Sequence, residues 1–255
     1  MTEPSELDGR AFYEHIAEHY TWLYPDWEAA GEEHADRIEA IAREQDLPRR
    51  MSILDATCGV GTQAIPLAKR GHRVVGSDRS LRSLRSAARS ARARGIKLSL
   101  LAVDLLALGH VVPKTFNLVM SLDNALSNCG TAELALALDQ LRTCTAPGGG
   151  CLIGVRGEQD LRSGATPCTR RELAQGEAFL FQARTPHPDG VIVKLYTLID
   201  DGAGELRADV SPPILFRAMD PAIIMHAMLT AGFDEVKQVG ELDGQTLLFG
   251  RVAPD

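Results

Sequence analysis

Long apolar runs are missing from this chain of 255 residues, and no stretch approaches the ~20 apolar residues that a membrane span requires. The N-terminus, MTEPSELDGR, is acidic and polar where a secretory leader is basic and then apolar. Neither insertion nor secretion is expected, and a cytoplasmic location is. Cysteines are scarce too. Cys58, Cys129, Cys144, Cys151 and Cys168 form no C-x-x-C pair, and an odd, scattered set builds no disulfide framework. Positive charge is in deficit, with 27 Lys and Arg against 34 Asp and Glu, a formal net charge of −7. A field of that sign disfavours nucleic acid and anionic membrane and leaves a small molecule as the expected partner. Aromatics make up only 5% of the chain, yet Tyr13, Tyr20, Trp22, Tyr24 and Trp27 crowd one short segment. What remains is ordinary globular composition, 45% hydrophobic and 24% charged, without an internal repeat or low-complexity tract.

Residues 10–24 place Phe12, Ile16, Tyr20 and Leu23 at helical spacing up to Pro25, and Asp26 can cap a second helix, WEAAGEEHADRIEAIAREQ. MSILDA reads as a buried strand entering a glycine turn; TQAIPLAKRG follows as a helix with Pro66 in its first turn and Gly71 as its stop. HRVVGSD, LRSLRSAARSARARG and KLSLLAVD continue as strand, helix and strand, and both strands end in an acid. TFNLVMSLDNA is a fourth strand, AELALALDQLRTCTAPGG a helix stopped by Pro147 and glycines, and GCLIGVR a fifth strand. From residue 157 the rhythm changes to consecutive β segments, EAFLFQART, GVIVKLYTLIDDG and ELRADVSPPILFRAM, joined by Gly and Asp turns. DPAIIMHAMLTAGF restores a helix with Pro221 at its start, and DEVKQVG with GQTLLFGRV closes the chain as a strand pair. The expected fold is α/β: a doubly wound, mostly parallel, seven-stranded Rossmann-like sheet. Residues 1–50 form a helical lid, 51–156 and 216–255 the Rossmann-like domain, and 157–215 an inserted antiparallel β cap over the substrate.

The motif LDATCGVGTQA, residues 54–64, carries the functional question. Read as Gly59-x-Gly61-x-x-Ala64 it fits a dinucleotide turn, in which small residues let backbone approach a pyrophosphate. Read as Asp55-x-x-x-Gly59-x-Gly61 it fits enzymes that use S-adenosylmethionine (SAM). The turn alone permits both. In an open α/β sheet the ligand lies beyond the carboxyl ends of the strands, so acids placed there are informative. Asp78, 19 residues past Gly59, can accept hydrogen bonds from both hydroxyls of an adenosine ribose, which either cofactor needs. Asp104, closing the third strand, favours SAM, because in that fold an acid here accepts from the adenine amino group. The two helices upstream and the terminal strand pair also fit the SAM fold.

With these residues in place the chain resembles the class I SAM-dependent methyltransferases over nearly its whole length. More narrowly, FYEHIAEHY, YPDWEA, CGVGTQA, SLDNAL, PGGGCLIGVR and LYTLIDDG resemble the glycine/sarcosine N-methyltransferase group. The resemblance implies SAM as cofactor, S-adenosylhomocysteine (SAH) as product, and cofactor contacts from Asp55, Thr57, Gly59, Gly61, Asp78, Arg79, Asp104, Leu105, Leu122, Asp123 and Tyr20. Thr57 stands where that family has a glycine, a change expected to be harmless if only Gly59 and Gly61 approach the ligand.

Methyl transfer from a sulfonium is an in-line displacement that needs a free lone pair, close approach and exclusion of water. The resemblance implies that Asn124 faces the donor methyl and the substrate amine, with Tyr20 beside it as the second catalytic candidate. Asp123 is expected to hold the loop or face the sulfonium. Arg156 matches the arginine that pairs with a substrate carboxylate, for which a guanidinium fork is well shaped. Asn128, Trp27, Tyr24 and Arg217 complete the substrate-binding set. Departures from the group are Ser127-Asn128 for its Pro-His, Glu158 for its tyrosine and Glu33-His34 for its Arg-Gln. The expected activity is methyl transfer to the nitrogen of a small amine or amino-acid-like metabolite. The alternatives are an O-methyltransferase of a small natural product and a SAM-binding protein without turnover. A homo-oligomer is compatible with the chain. His15 and His19 have helical i, i+4 spacing, but no third ligand is visible and no metal is expected. The six arginines from Arg79 to Arg94 read as a solvated face, not an RNA surface, and Cys58 as a small packing residue.

Overall fold

The structure, a computed structural model, describes residues 7, 9–112, 116–161 and 164–254. The polar stretch 1–6 and the expected strand start at Thr115 lie outside them. Strands β1 (Ser52–Asp55), β2 (Arg73–Asp78), β3 (Ser99–Ala102), β4 (Phe116–Ser121) and β5 (Thr145–Val155) pair in parallel in the order 3-2-1-4-5. The order reverses between β1 and β4, which is where such sheets bind ligands. Helices α1 (Gly9–Ile16) and α2 (Trp27–Glu44) precede the sheet; α3 (Ala64–Lys69), α4 (Leu81–Ala93), α5 (Leu108–Val111) and α6 (Thr131–Cys144) lie between its strands.

The insertion carries β6 (Gly164–Ala165), β7 (Thr169–Glu172), β8 (Glu177–His187), β9 (Gly190–Asp200), β10 (Leu206–Val210) and β11 (Ile214–Arg217), all antiparallel. This second sheet runs through to Arg217, two residues beyond the expected end of the insertion. After α7 (Pro221–Thr230), β12 (Glu235–Leu242) and β13 (Gln245–Arg251) add antiparallel to the free edge of β5 and complete seven strands.

Period-two alternation assigns each strand residue to a layer. Ile53, Leu118, Met120 and Leu152 pack against Ile38 and Ile41 of α2 and Leu67 of α3. Their neighbours Leu54, Val119, Cys151 and Ile153 face the other way, against Leu138 and Leu141 of α6 and Met228 of α7. Asp26 caps α2 as expected, accepting from the backbone N–H groups of Glu28 and Ala29, and Asp220 caps α7 with Pro221 at its first position. The α2–α3 contact is tied outside by Arg70, which reaches Glu32, Asp36 and Glu39 at 2.8, 2.6 and 2.9 Å. No helix among the described residues is long and apolar enough to cross a membrane.

Two helix ends also differ from the expected ones. The first helix stops at Ile16, and Tyr20–Leu23 form a separate 3-10 turn. Phe12 and Ile16 are buried in the second-sheet cluster, and the break lets Tyr20 pack against that cluster while also lining the cavity over the central sheet. Helix α6 ends at Cys144, ahead of Pro147, because Thr145 already pairs with Phe116 as the start of β5. Tertiary pairing overrides the proline and glycine signal there.

Candidate functional site

Beyond the carboxyl ends of β1 to β4, at the switch point, lies a cavity roofed by α1 and the Tyr20 turn. Gly9 of α1 packs close to Asn128, and His15 Nε2 lies 2.9 Å from Asp209 Oδ2 on β10, so the roof is fastened to both sheets. Of the expected cofactor residues, Thr57, Gly59, Asp78, Arg79, Asp104, Leu105, Leu122, Asp123 and Tyr20 line this cavity. Asn128, expected on the substrate side, lines it as well.

The glycine turn works by backbone. Gly59 has φ 51° and donates its N–H to Asp78 Oδ2 at 2.9 Å; a Cβ there would meet nothing within 4 Å, so the backbone faces open space. Asp78 Oδ1 accepts from the N–H of Ser80 at 2.8 Å, which fixes the carboxylate at the cavity wall with lone pairs to spare. Burial raises the Asp78 pKa, partly offset by those two N–H donors. Asp104 caps the turn that follows it through Leu106 N and stands 3.9 Å from Arg79 Nη1.

Several expected residues stand elsewhere. Gly61 (φ 89°) does not line the cavity; its missing side chain makes room for Ile65. Thr57 does line it, with Oγ1 3.2 Å from Ser121 Oγ, which reverses the expected division of labour between the two positions. Asn124 is not part of the wall: it adopts φ 57°, is buried, and spends Oδ1 on the Arg156 backbone N–H at 2.9 Å. It braces the ends of β4 and β5. The Arg156 guanidinium packs against Gly244 in the β12–β13 turn, outside the cavity. Trp27 donates its indole N–H to Thr62 Oγ1 at 2.9 Å and carries Arg94 over its ring, again outside. Tyr24 lies behind Tyr20, ring centroids 6.2 Å apart, and Arg217 donates to the Ser127 carbonyl at 3.3 Å.

Asp55 lies beneath the turn, 2% exposed, and its Oδ2 has no hydrogen-bond partner among the described residues. Burial, followed by the charges of Asp123 and Asp78, pushes its pKa up to about 8. Burial likewise pushes Tyr13 up to about 12 and raises Tyr20 well above the usual phenol value. Cys58 is held as a thiol chiefly by burial, consistent with packing. Gly9, Thr62, Ser83, Cys129 and Glu133 line the cavity without a sequence signal of their own, because they come from distant elements.

The wall chemistry separates the two cofactors. Asp78, Asp104, Asp123 and Glu133 face the cavity, and Arg79 is the only cationic side chain among the described lining residues. A pyrophosphate would meet carboxylates there, whereas a sulfonium and an ammonium find complementary charge. The residues present fit SAM.

Residues 53–149 match the family model described as a methyltransferase domain. The fold is similar to that of DesVI from Streptomyces venezuelae (TM-score 0.77, 18% identity, 94% of this chain and 98% of that one). It is also similar to the sugar N-methyltransferase KedS8 from Streptoalloteichus (0.75, 19%, 91% and 89%). A third similar structure is the SAM-bound amino pentose methyltransferase CalS10 from Micromonospora echinaspora (0.71, 23%, 91% and 94%). In sequence, an uncharacterised RNA methyltransferase of Gloeobacter violaceus is 29% identical over 143 residues, 46% of this chain but only 29% of that protein. One from Leptospira interrogans is 36% identical over 53 residues, 21% of this chain and 14% of its own length. The matches thus span less than a third of these relatives. Residues 53–149 thus match a methyltransferase domain, and the chain has the fold of the SAM-bound CalS10, whose ligand the residues lining this cavity fit.

Proposed function

We propose that the chain transfers a methyl group to the nitrogen of a small amine or amino-acid-like metabolite, amino sugars included. When bound, SAM supplies an electrophilic methyl group on a sulfonium. Asp78 would hold the ribose, Asp104 the adenine edge, and the Gly59 turn with Asp123 the methionine end. The roof made by α1 and the Tyr20 turn would limit water around a bound cofactor, which strengthens the charge contacts beneath it.

The observation that carries nitrogen over oxygen is a cavity lined by four carboxylates, which attract an ammonium but are weak bases toward a hydroxyl. Among the described lining residues there is no histidine and no lysine, and burial keeps the Tyr13 and Tyr20 phenols protonated. A hydroxyl acceptor needs a base stronger than a carboxylate to take its proton, whereas a neutral amine attacks through its own lone pair. Asn128 presents a buried Oδ1 with no hydrogen-bond partner among the described residues, while its Nδ2 donates to the Ala125 carbonyl at 3.0 Å. That oxygen can accept an amine N–H and aim the lone pair away from itself. KedS8 and CalS10, both named for sugar substrates, support the same class. Arg156, the expected partner of a substrate carboxylate, packs outside the cavity, which leaves Arg79 as the one cation among the described lining residues.

The test is mass spectrometry after incubation with SAM and a panel of amino sugars, amino acids and their hydroxyl analogues. A gain of one CH₂ on an amine is expected; a gain confined to the hydroxyl analogues overturns the reading. Asn128→Ala should lower kcat/KM for the amine by roughly tenfold, the effect of one lost hydrogen bond at the reacting group.

A further inference from the structure

Behind the cavity wall runs a chain of buried polar groups that neither the fold nor the glycine turn requires. Asp123, at φ 54° after β4, faces the cavity. Gln245, fully buried, accepts the Asp123 backbone N–H on Oε1 at 2.9 Å and donates from Nε2 to Asp123 Oδ1 at 3.2 Å. Gln63, 3% exposed, donates from Nε2 to Asp123 Oδ2 at 3.0 Å, and the same nitrogen lies 3.0 Å from His34 Nδ1. His34, 0% exposed on α2, has Nε2 2.6 Å from Asp243 Oδ2.

Donor and acceptor inventory leaves one polarity for this chain. Asp243 only accepts, so His34 carries its proton on Nε2, and Nδ1 is a lone pair that accepts from Gln63. The two amide hydrogens of Gln63 are then assigned, one to His34 and one to Asp123. Its carbonyl oxygen cannot turn toward Asp123 without placing two acceptors face to face. Both Asp123 oxygens therefore rest on amide donors, and the remaining lone pairs are left for the cavity. No cationic side chain of the described wall meets it there, since Arg79 stands at the Asp104 end. Burial first, and then the charge of Asp123, raises the Asp55 pKa.

We propose that Asp123 seats a cationic group of the SAM methionine half, and that His34, which does not reach the cavity, is the positioning residue that holds it through Gln63. The inference rests on SAM occupying this cavity and is independent of which acceptor is methylated.

Calorimetric titration of the purified full chain with SAM and with SAH tests it without any turnover. Wild-type protein that binds neither would defeat the cofactor assignment itself, a separate outcome. Given wild-type binding, Asp123→Asn should weaken SAM roughly tenfold to a hundredfold, the effect of a lost charge-assisted contact. A larger loss for SAM than for SAH assigns the sulfonium as the seated cation, and equal losses assign the ammonium. Unchanged affinity for both ligands overturns the proposal. His34→Asn keeps an acceptor where Nδ1 stands and should bind within about threefold of wild type; His34→Gln lacks it and should match Asp123→Asn. The double variant H34Q/D123N should lose no more than D123N alone, because His34 acts through Asp123. Additive losses, or equal damage from His34→Asn and His34→Gln, overturn the positioning role. Should H34Q fail to fold, Gln63→Leu removes the same donor and should reproduce the D123N loss; wild-type affinity in that variant counts against the proposal.

Discussion

Asp55 has the most perturbed carboxyl at the site, and its pKa has a consequence for the free protein. Its folded pKa of about 8 lies above the ordinary 3.8, so the folded state keeps a proton that the unfolded chain has already released. Stability from this group is therefore full below pH ~4 and is lost as pH rises toward about 8. Thermal melts of ligand-free protein should show Tm falling between roughly pH 5 and 8.5, and Asp55→Asn should flatten that slope, by at most about 5 kcal/mol over the window. Parallel slopes for the two proteins would defeat the account. At this scale the strand-end acids Asp78 and Asp104 were legible, because their spacing from Gly59 sets them at successive carboxyl ends. Asn124 and Arg156 were misplaced because sequence puts them at the right strand ends without saying where the side chains turn. Asn124 takes up the Arg156 backbone N–H, and the Arg156 guanidinium turns to Gly244.

Among the elements, α1 lines the cavity through Gly9 and Tyr13. Phe12 is 3% exposed and meets the Tyr13 and Phe216 rings edge-on, at 5.3 and 6.3 Å between centroids. Phe12→Ala should destabilise the roof by about 3–5 kcal/mol. The expected signs are faster hydrogen exchange over residues 9–16 and faster SAH release, with the central sheet's exchange unchanged; uniform loss of protection would mean that α1 is not a separable lid. The helices and strands of the central sheet were readable from periodicity and caps. Two ends were not: Ile16, where the second sheet claims the helix, and Thr145, where pairing with Phe116 begins a strand inside an apparent helix stop.

For the whole molecule, the net charge of −7 separates the proposed function from that named for the curated relatives. Filter binding with labelled RNA at about 50 mM salt should show no retention, since phosphate contacts dominate such affinity and are strongest at low salt. Saturable, salt-sensitive retention would move RNA ahead of a small amine. By itself the sequence determined the α/β architecture, the antiparallel insertion and the row of acids at the strand ends. All three follow from local pattern: period two or 3.6, turn residues, and counted spacing along one chain. Only the tertiary structure decided which residues meet at the cavity. Gly9, Asn128 and Tyr20 come together across distant segments, and Asp243, His34, Gln63 and Asp123 join four separate elements into one hydrogen-bonded line. Such contacts depend on side-chain direction and on the closing of one layer over another, which no local pattern encodes.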